Sequence, residues 1–65
     1  MSQPRRLKIA ASQNWNCNMC SKILSSSFEI DHIVRWSESF DDSDENLQAL
    51  CVECHLMKTA EENGA

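Results

Sequence analysis

The chain has no apolar run approaching the ~18 residues of a membrane-spanning helix, so a membrane partner is not expected. Its first eleven residues include basic side chains but no apolar stretch long enough for a secretory signal. Nothing therefore assigns its four cysteines to an oxidising compartment, and an intracellular, unsecreted protein is expected. There is one glycine and one proline, no internal repeat, and no low-complexity tract beyond Ser25–Ser27. Above all the chain lacks length. Its 65 residues make one domain or part of one, and a fold this small buries too little apolar surface to offset its chain entropy comfortably. It needs disulfides, a metal or a partner. What is present, 42% hydrophobic and 25% charged residues, is ordinary for a globular chain and argues against wholesale disorder.

Acidic residues are missing from the first 22 positions, which hold Arg5, Arg6, Lys8 and Lys22. All ten acids fall in the remainder, against only Arg35 and Lys58, and the net charge is −4. The chain thus divides into a basic arm over 1–8, a body over 9–63 and a short tail over 64–65. Charge asymmetry of this kind points to a segment that binds a polyanion; the plainer alternative is a solvated basic tail.

Pro4 stands where a helix starts, and Arg5 to Gln13 contains good helix formers with Leu7, Ala10 and Ala11 at helical spacing. Phe28 to Val34 is rich in β-formers, and Leu47 to Val52 is a second short apolar run. Ser37 to Glu45 reads as a polar, acidic loop. From Cys54 to about Asn63 the composition is helical, with Gly64 as a stop. The expected order is short helix, knuckle, strand, loop, strand, knuckle, helix, a small α+β fold. Trp15, Phe28, Ile30, Leu47, Leu50 and Leu56 are the expected core, with Trp36 at the edge of the polar loop.

Cys17-Asn-Met-Cys20 and Cys51-Val-Glu-Cys54 are two Cys-x-x-Cys pairs separated by thirty residues. Zinc takes thiolates in a tetrahedron, and two ligands from each of two tight turns close it. Two disulfides lack a compartment, and a redox dithiol needs one pair rather than two. One structural zinc per chain, held by Cys17, Cys20, Cys51 and Cys54, is the expected staple.

The remaining polar residues suggest a second site. His32 follows Asp31 inside the strand-like segment. His55 follows the cysteine ligand Cys54 at the start of the last helix, and adjacent helical residues project about 100° apart. Cys54 can face the zinc while His55 turns toward the strand that carries Asp31 and His32. Taken together, Asp31-His32-Ile33, Asn46-Leu47-Gln48-Ala49-Leu50-Cys51, and Cys54-His55 with Lys58-Thr59 resemble the HNH endonuclease family of the zinc-containing, four-cysteine kind. The resemblance covers roughly residues 9–59.

That resemblance implies a ββα-metal fold of the treble-clef type, in which 9–63 is the nuclease domain. It implies an endonuclease, a hydrolase of DNA phosphodiester bonds that uses magnesium or manganese. Of the catalytic residues it implies, His32 activates water, and Asp31 and His55 hold the catalytic divalent ion. Asn46 orients the His32 ring or joins the metal shell. Arg5, Arg6, Lys8 and Lys58 are the expected DNA contacts, while the acidic stretch before Asn46 is expected to lie away from the bound strand or to move. This stretch has no glycine, unlike its usual counterpart in the family. The expected partners are DNA, together with a homodimer or a larger DNA-processing complex. The contrasting expectation is a zinc-stabilised module that binds DNA or protein without chemistry.

Overall fold

Pro4 lies in the first turn of helix α1 (Gln3–Ser12), where its missing N–H has no helical partner to lose. A computed structural model of the chain describes residues 2–64, with side chains through residue 61. Helix α1 ends in a paired cap: Asn14 N donates to Ala11 O at 3.0 Å and Trp15 N to Ala10 O at 2.9 Å. Asn14 takes the left-handed conformation that this cap requires. The chain then forms the first knuckle, closed by the bridge Asn16–Ile23 and by Cys17 N donating to Lys22 O at 2.7 Å.

Strand β1 (Glu29–His32) pairs antiparallel with β2 (Leu47–Leu50), Ile30 opposite Ala49 and His32 opposite Leu47. Between them the acidic loop contains a single-turn helix α2 (Trp36–Ser39) and a 3-10 turn over Asp44–Asn46. Helix α3 (Val52–Gly64) follows β2 after one residue, Cys51. The second cysteine pair is therefore not a separate knuckle, as expected, but the entry and first turn of α3. The result is a two-stranded antiparallel sheet followed by a helix, the ββα arrangement, with α1 added in front.

Side chains alternate across a strand, and this fixes what each face of the sheet does. Ile30, Leu47 and Ala49 share one face and pack with Ile9 and Ala10 of α1, Phe28 and Leu24. Asp31, Gln48 and Leu50 share the other, on the side of α3, whose Lys58 reaches Asp31. The outer edge of β2 is not left open: Ala49 N donates to Gln13 Oε1 at 2.8 Å, and Ala49 O accepts from Gln13 Nε2 and from Asn18 N. The buried Gln48 accepts from Asn18 Nδ2 at 2.6 Å.

Phe28, Leu47 and Leu50 are buried as expected, and Ile30 is partly so. Trp15 and Leu56 correct the expectation, being 44% and 62% exposed. Trp15 follows the left-handed cap of α1 and is itself left-handed, which turns its indole outward. Leu56 lies on the outer stripe of α3. The inner stripe, half-buried at every third or fourth residue, is Cys51, Cys54, His55, Lys58 and Thr59. The basic arm is also not separate: residues 3–8 are the first turns of α1. Gly64 closes α3 rather than starting a tail, and Ala65 lies outside the described residues. Among the described residues, no helix is long and apolar enough to cross a membrane.

The scarcity of glycine has a structural cost. Four left-handed positions among the described residues are filled by Asn14, Trp15, Ser21 and Phe40. Each forces a Cβ toward a carbonyl oxygen, at about 1–2 kcal/mol. Ser21→Gly relieves that at the end of the first knuckle and is expected to stabilise the zinc-loaded protein by about 0.5–1 kcal/mol after glycine's own entropy loss. Urea denaturation of the two proteins measures it, and an unchanged midpoint refutes it.

Candidate metal centre and active site

The knuckle and the start of α3 bring the sulfur atoms of Cys17, Cys20, Cys51 and Cys54 within 4.8 Å of one another. All four are free thiols. A tetrahedron with Zn–S bonds of about 2.3 Å has edges of about 3.8 Å, and Cys20 Sγ lies 3.7 Å from Cys51 Sγ. The four cysteines are positioned to bind a metal, and both their spacing and their soft donors fit zinc. Backbone N–H groups of Met19 and Cys51 point at Cys17 Sγ, each at 3.4 Å, as they would at a thiolate. Burial pushes the Cys17 thiol up, but the N–H groups of Cys20, Cys51 and Met19 outweigh it and bring the group down to about 6. Cys54 is pushed up to about 12, first by its hydrogen bond with Cys51, then by burial and by its bonds with Cys20 and Cys17. Within the folded cluster the backbone N–H groups thus favour a thiolate at Cys17, and the neighbouring thiols disfavour one at Cys54.

On the α3 side of the sheet, Lys58 Nζ lies 3.0 Å from Asp31 Oδ2, with only 17% and 19% of the two side chains exposed. Asp31 Oδ2 is itself closed off from solvent and receives no well-directed hydrogen bond. The ammonium neutralises it by proximity. His55 sits one turn before Lys58, on the same inner stripe of α3.

His32, on the opposite face, ends β1. Its Nε2 is 3.1 Å from Asp42 Oδ1, and the Trp36 ring lies 5.9 Å away, centroid to centroid. Asn46 is buried and fully engaged elsewhere. Its Oδ1 accepts from Val34 N at 2.8 Å, and its Nδ2 donates to Val34 O, Ser39 Oγ and Asp41 O. The expected direct bond from Asn46 to His32 is replaced by a clamp on the loop that follows His32. The reason is local: the 3-10 turn folds the Asn46 amide under residues 34–41, where it satisfies backbone groups that β pairing leaves open.

The expected DNA contacts are engaged within the protein. Arg5 donates to Asp44 Oδ1 at 2.9 Å and to the Asp42 carbonyl, and pairs with Asp42 Oδ2 at 3.5 Å. The hydrogen bond from Arg5 holds the Asp44 carboxyl below its ordinary value against the opposing effect of burial, and Lys8, at 3.4 Å, adds to it. Arg6 donates to Phe28 O at 2.7 Å and stacks over the Phe28 ring. Lys8 is the most exposed of these cations. Sequence reasoning missed Asp42, which carried no signal distinguishing it from its acidic neighbours. It also missed Gln48, whose signal was a polar residue inside a four-residue apolar strand.

A family model described as HNH endonuclease matches residues 17–61, from the first cysteine of the knuckle through most of α3. The chain belongs to the HNH endonuclease family. This is a family of nucleases, and the matched segment contains the four cysteines, β1, β2 and every expected catalytic residue, while α1 stands outside it. No curated protein and no solved structure matches this HNH chain.

Binding of zinc to this HNH protein replaces thiol protons, so at pH 7 loading is expected to release protons and its affinity to fall as the pH is lowered. One zinc per chain, worth about 10–16 kcal/mol, exceeds what this core supplies alone. Strong chelation is therefore expected to abolish most of the helical far-UV circular dichroism. A metal-free protein with the same spectrum would refute the structural role.

Proposed function

We propose that the protein is a zinc-stabilised endonuclease that hydrolyses DNA phosphodiester bonds at the end of β1, with His32 activating water. One observation carries this reading: strand alternation sends Asp31 and His32 to opposite faces of the sheet at that end. An in-line displacement at phosphorus needs its base and its leaving-group stabiliser on opposite sides of the phosphate, and two adjacent strand residues supply that disposition. Neutral imidazole is a suitable base near pH 7.

Asp31 and His55 would hold magnesium or manganese. The closed-off carboxylate oxygen of Asp31, already facing a cation, fits such an ion, and His55 on the same helix stripe as that cation adds a second donor. When bound, the ion supplies Lewis-acid stabilisation of charge on the phosphoryl and leaving oxygens. Lys58 pairs with Asp31 until then and, one helical turn from His55, would also contact a phosphate. Asn46 holds residues 34–41 in place behind His32. Lys8 contacts the DNA backbone directly, whereas Arg5 and Arg6 chiefly shape the surface around it. One site per chain makes a monomer a nicking enzyme; cutting both strands takes a homodimer or a larger DNA-processing complex.

The Asp31–Lys58 pair also favours a second reading, a zinc-stabilised binding module whose would-be metal ligand is permanently occupied. Plasmid nicking by the zinc-loaded protein with magnesium or manganese separates the two. The wild type is expected to nick and His32→Ala to lose at least a hundredfold of the rate. Equal inactivity of both, with both folded, decides for the module.

Manganese binding checks the competition at Asp31 without reference to activity. Lys58→Met removes the competing ammonium and is expected to tighten Mn2+ binding about fivefold, corresponding to an ion pair of about 1 kcal/mol. Electron paramagnetic resonance of the free ion measures it, and unchanged or weaker binding refutes the competition.

A further inference from the structure

We propose that Asp42 is the positioning residue of His32: its carboxylate holds the imidazole as the Nε2–H tautomer and leaves the Nδ1 lone pair facing the water to be activated. The proposal rests on the reading of His32 as the base and adds a residue to it. Asp42 lies ten positions from His32, in an acidic stretch whose expected role was only to stay clear of DNA.

Three observations carry the inference. Asp42 Oδ1 is 3.1 Å from His32 Nε2. An ionised carboxylate has no proton to donate, so in this pair the imidazole nitrogen is the donor and must carry the hydrogen. The second nitrogen of a neutral ring is then an acceptor by necessity.

Asp42 is in turn held from behind. Arg5 pairs with its Oδ2 at 3.5 Å, donates to its backbone carbonyl, and binds Asp44 two residues on. The carboxylate is thus tied to helix α1 rather than carried on a free loop.

The ring has a third constraint. Trp36 packs against it at 5.9 Å with the planes tilted by 48°, and Phe40 packs edge-on against Trp36 at 5.6 Å. One ring edge is fixed by a carboxylate and the ring plane by an aromatic neighbour, so the free edge, with Nδ1, is the one left for substrate. Arg5, expected to bind DNA, acts here through Asp42. A carboxylate that oriented nothing would instead stand in the way of a phosphate, and the two roles predict opposite effects of its removal.

The test uses the full zinc-loaded chain. Long-range proton–nitrogen correlation spectra read the tautomer of His32 directly, independently of catalysis. The wild type is expected to show a protonated Nε2 and an unprotonated Nδ1, and Asp42→Ala a mixture of the two tautomers. In plasmid nicking, Asp42→Ala is expected to lower kcat about tenfold to a hundredfold with KM for DNA unchanged, and Asp42→Glu to restore part of the loss. Zinc content and far-UV circular dichroism confirm that each variant is folded; a destabilised Asp42→Ala is replaced by Arg5→Gln, for which a smaller fall in kcat and the same tautomer mixing are expected. An Nδ1–H tautomer in the wild type overturns the proposal. So does a higher kcat or tighter DNA binding in Asp42→Ala, which would make the carboxylate a block. A tautomer fixed by Asp42 in a protein whose nicking is indifferent to His32→Ala overturns the base reading, and the positioning role falls with it, leaving the bond purely structural.

Discussion

Four sulfur atoms from segments thirty residues apart occupy a space in which their charges cannot coexist without a cation. That constraint organises the rest of the molecule. The apolar core is a handful of side chains: Ile9, Ala10, Phe28, Leu47 and Ala49 on one side of the sheet, and Leu50 on the other. Such a core is marginal against the entropy of ordering the chain. A metal bound by the four thiolates contributes about as much as the whole net stability of an ordinary domain. It also does something that burial cannot. Burial is non-directional, whereas a tetrahedral site fixes the direction in which α3 leaves the knuckle, and so decides which of its residues face β1.

Helix α3 shows the consequence. An ordinary amphipathic helix turns its leucines and methionines inward. Here Val52, Leu56 and Met57 are exposed, and the inner stripe is Cys51, Cys54, His55, Lys58 and Thr59. The two cysteines must face the metal, and continuing their stripe at 3.6 residues per turn brings His55 and then Lys58 under the sheet. Ligand geometry has overruled hydrophobic patterning. The same rotation that takes Leu56 out of the core puts a cation against Asp31, so the structural metal and the candidate active site are two readouts of one helix orientation.

What was legible in the sequence follows this division between local rules and long-range ones. Pro4 and the run after it announced α1, the β-formers around Ile30 and Leu47 announced the two strands, and the spacing of the cysteines announced the metal centre. These signals are local, or are set by ligand chemistry. The exposure of Trp15 was not legible, because it follows from a left-handed turn at Asn14 and Trp15 in a chain with too little glycine to mark such turns. The clamp role of Asn46 was not legible either. An asparagine before an apolar run reads the same whether its amide caps a turn, holds a loop or meets a histidine; only the path of residues 34–41 decides. In the same way, Asp42 became distinct from Asp41 and Asp44 only once the loop folded across β1.

The separation of charge along the chain turns out to be a pairing in space. The basic start and the acidic loop look in sequence like a polyanion-binding arm and a repulsive body. Folded, Arg5 and Lys8 meet Asp42 and Asp44, and Lys58 meets Asp31. This changes what the proposed binding of DNA would involve. A phosphate that contacts a free lysine displaces condensed small ions, and their release gives nucleic-acid binding its salt dependence. A phosphate that contacts Lys8 displaces a tethered carboxylate as well, with a smaller change in the number of free ions. In the proposed complex with DNA the affinity would be lower by the cost of breaking that pair, and its salt dependence shallower than the count of basic residues implies. Internal pairing thereby ties Arg5 and Lys8 to the acidic loop and Lys58 to β1, so each is a contact that a phosphate would have to win from a carboxylate.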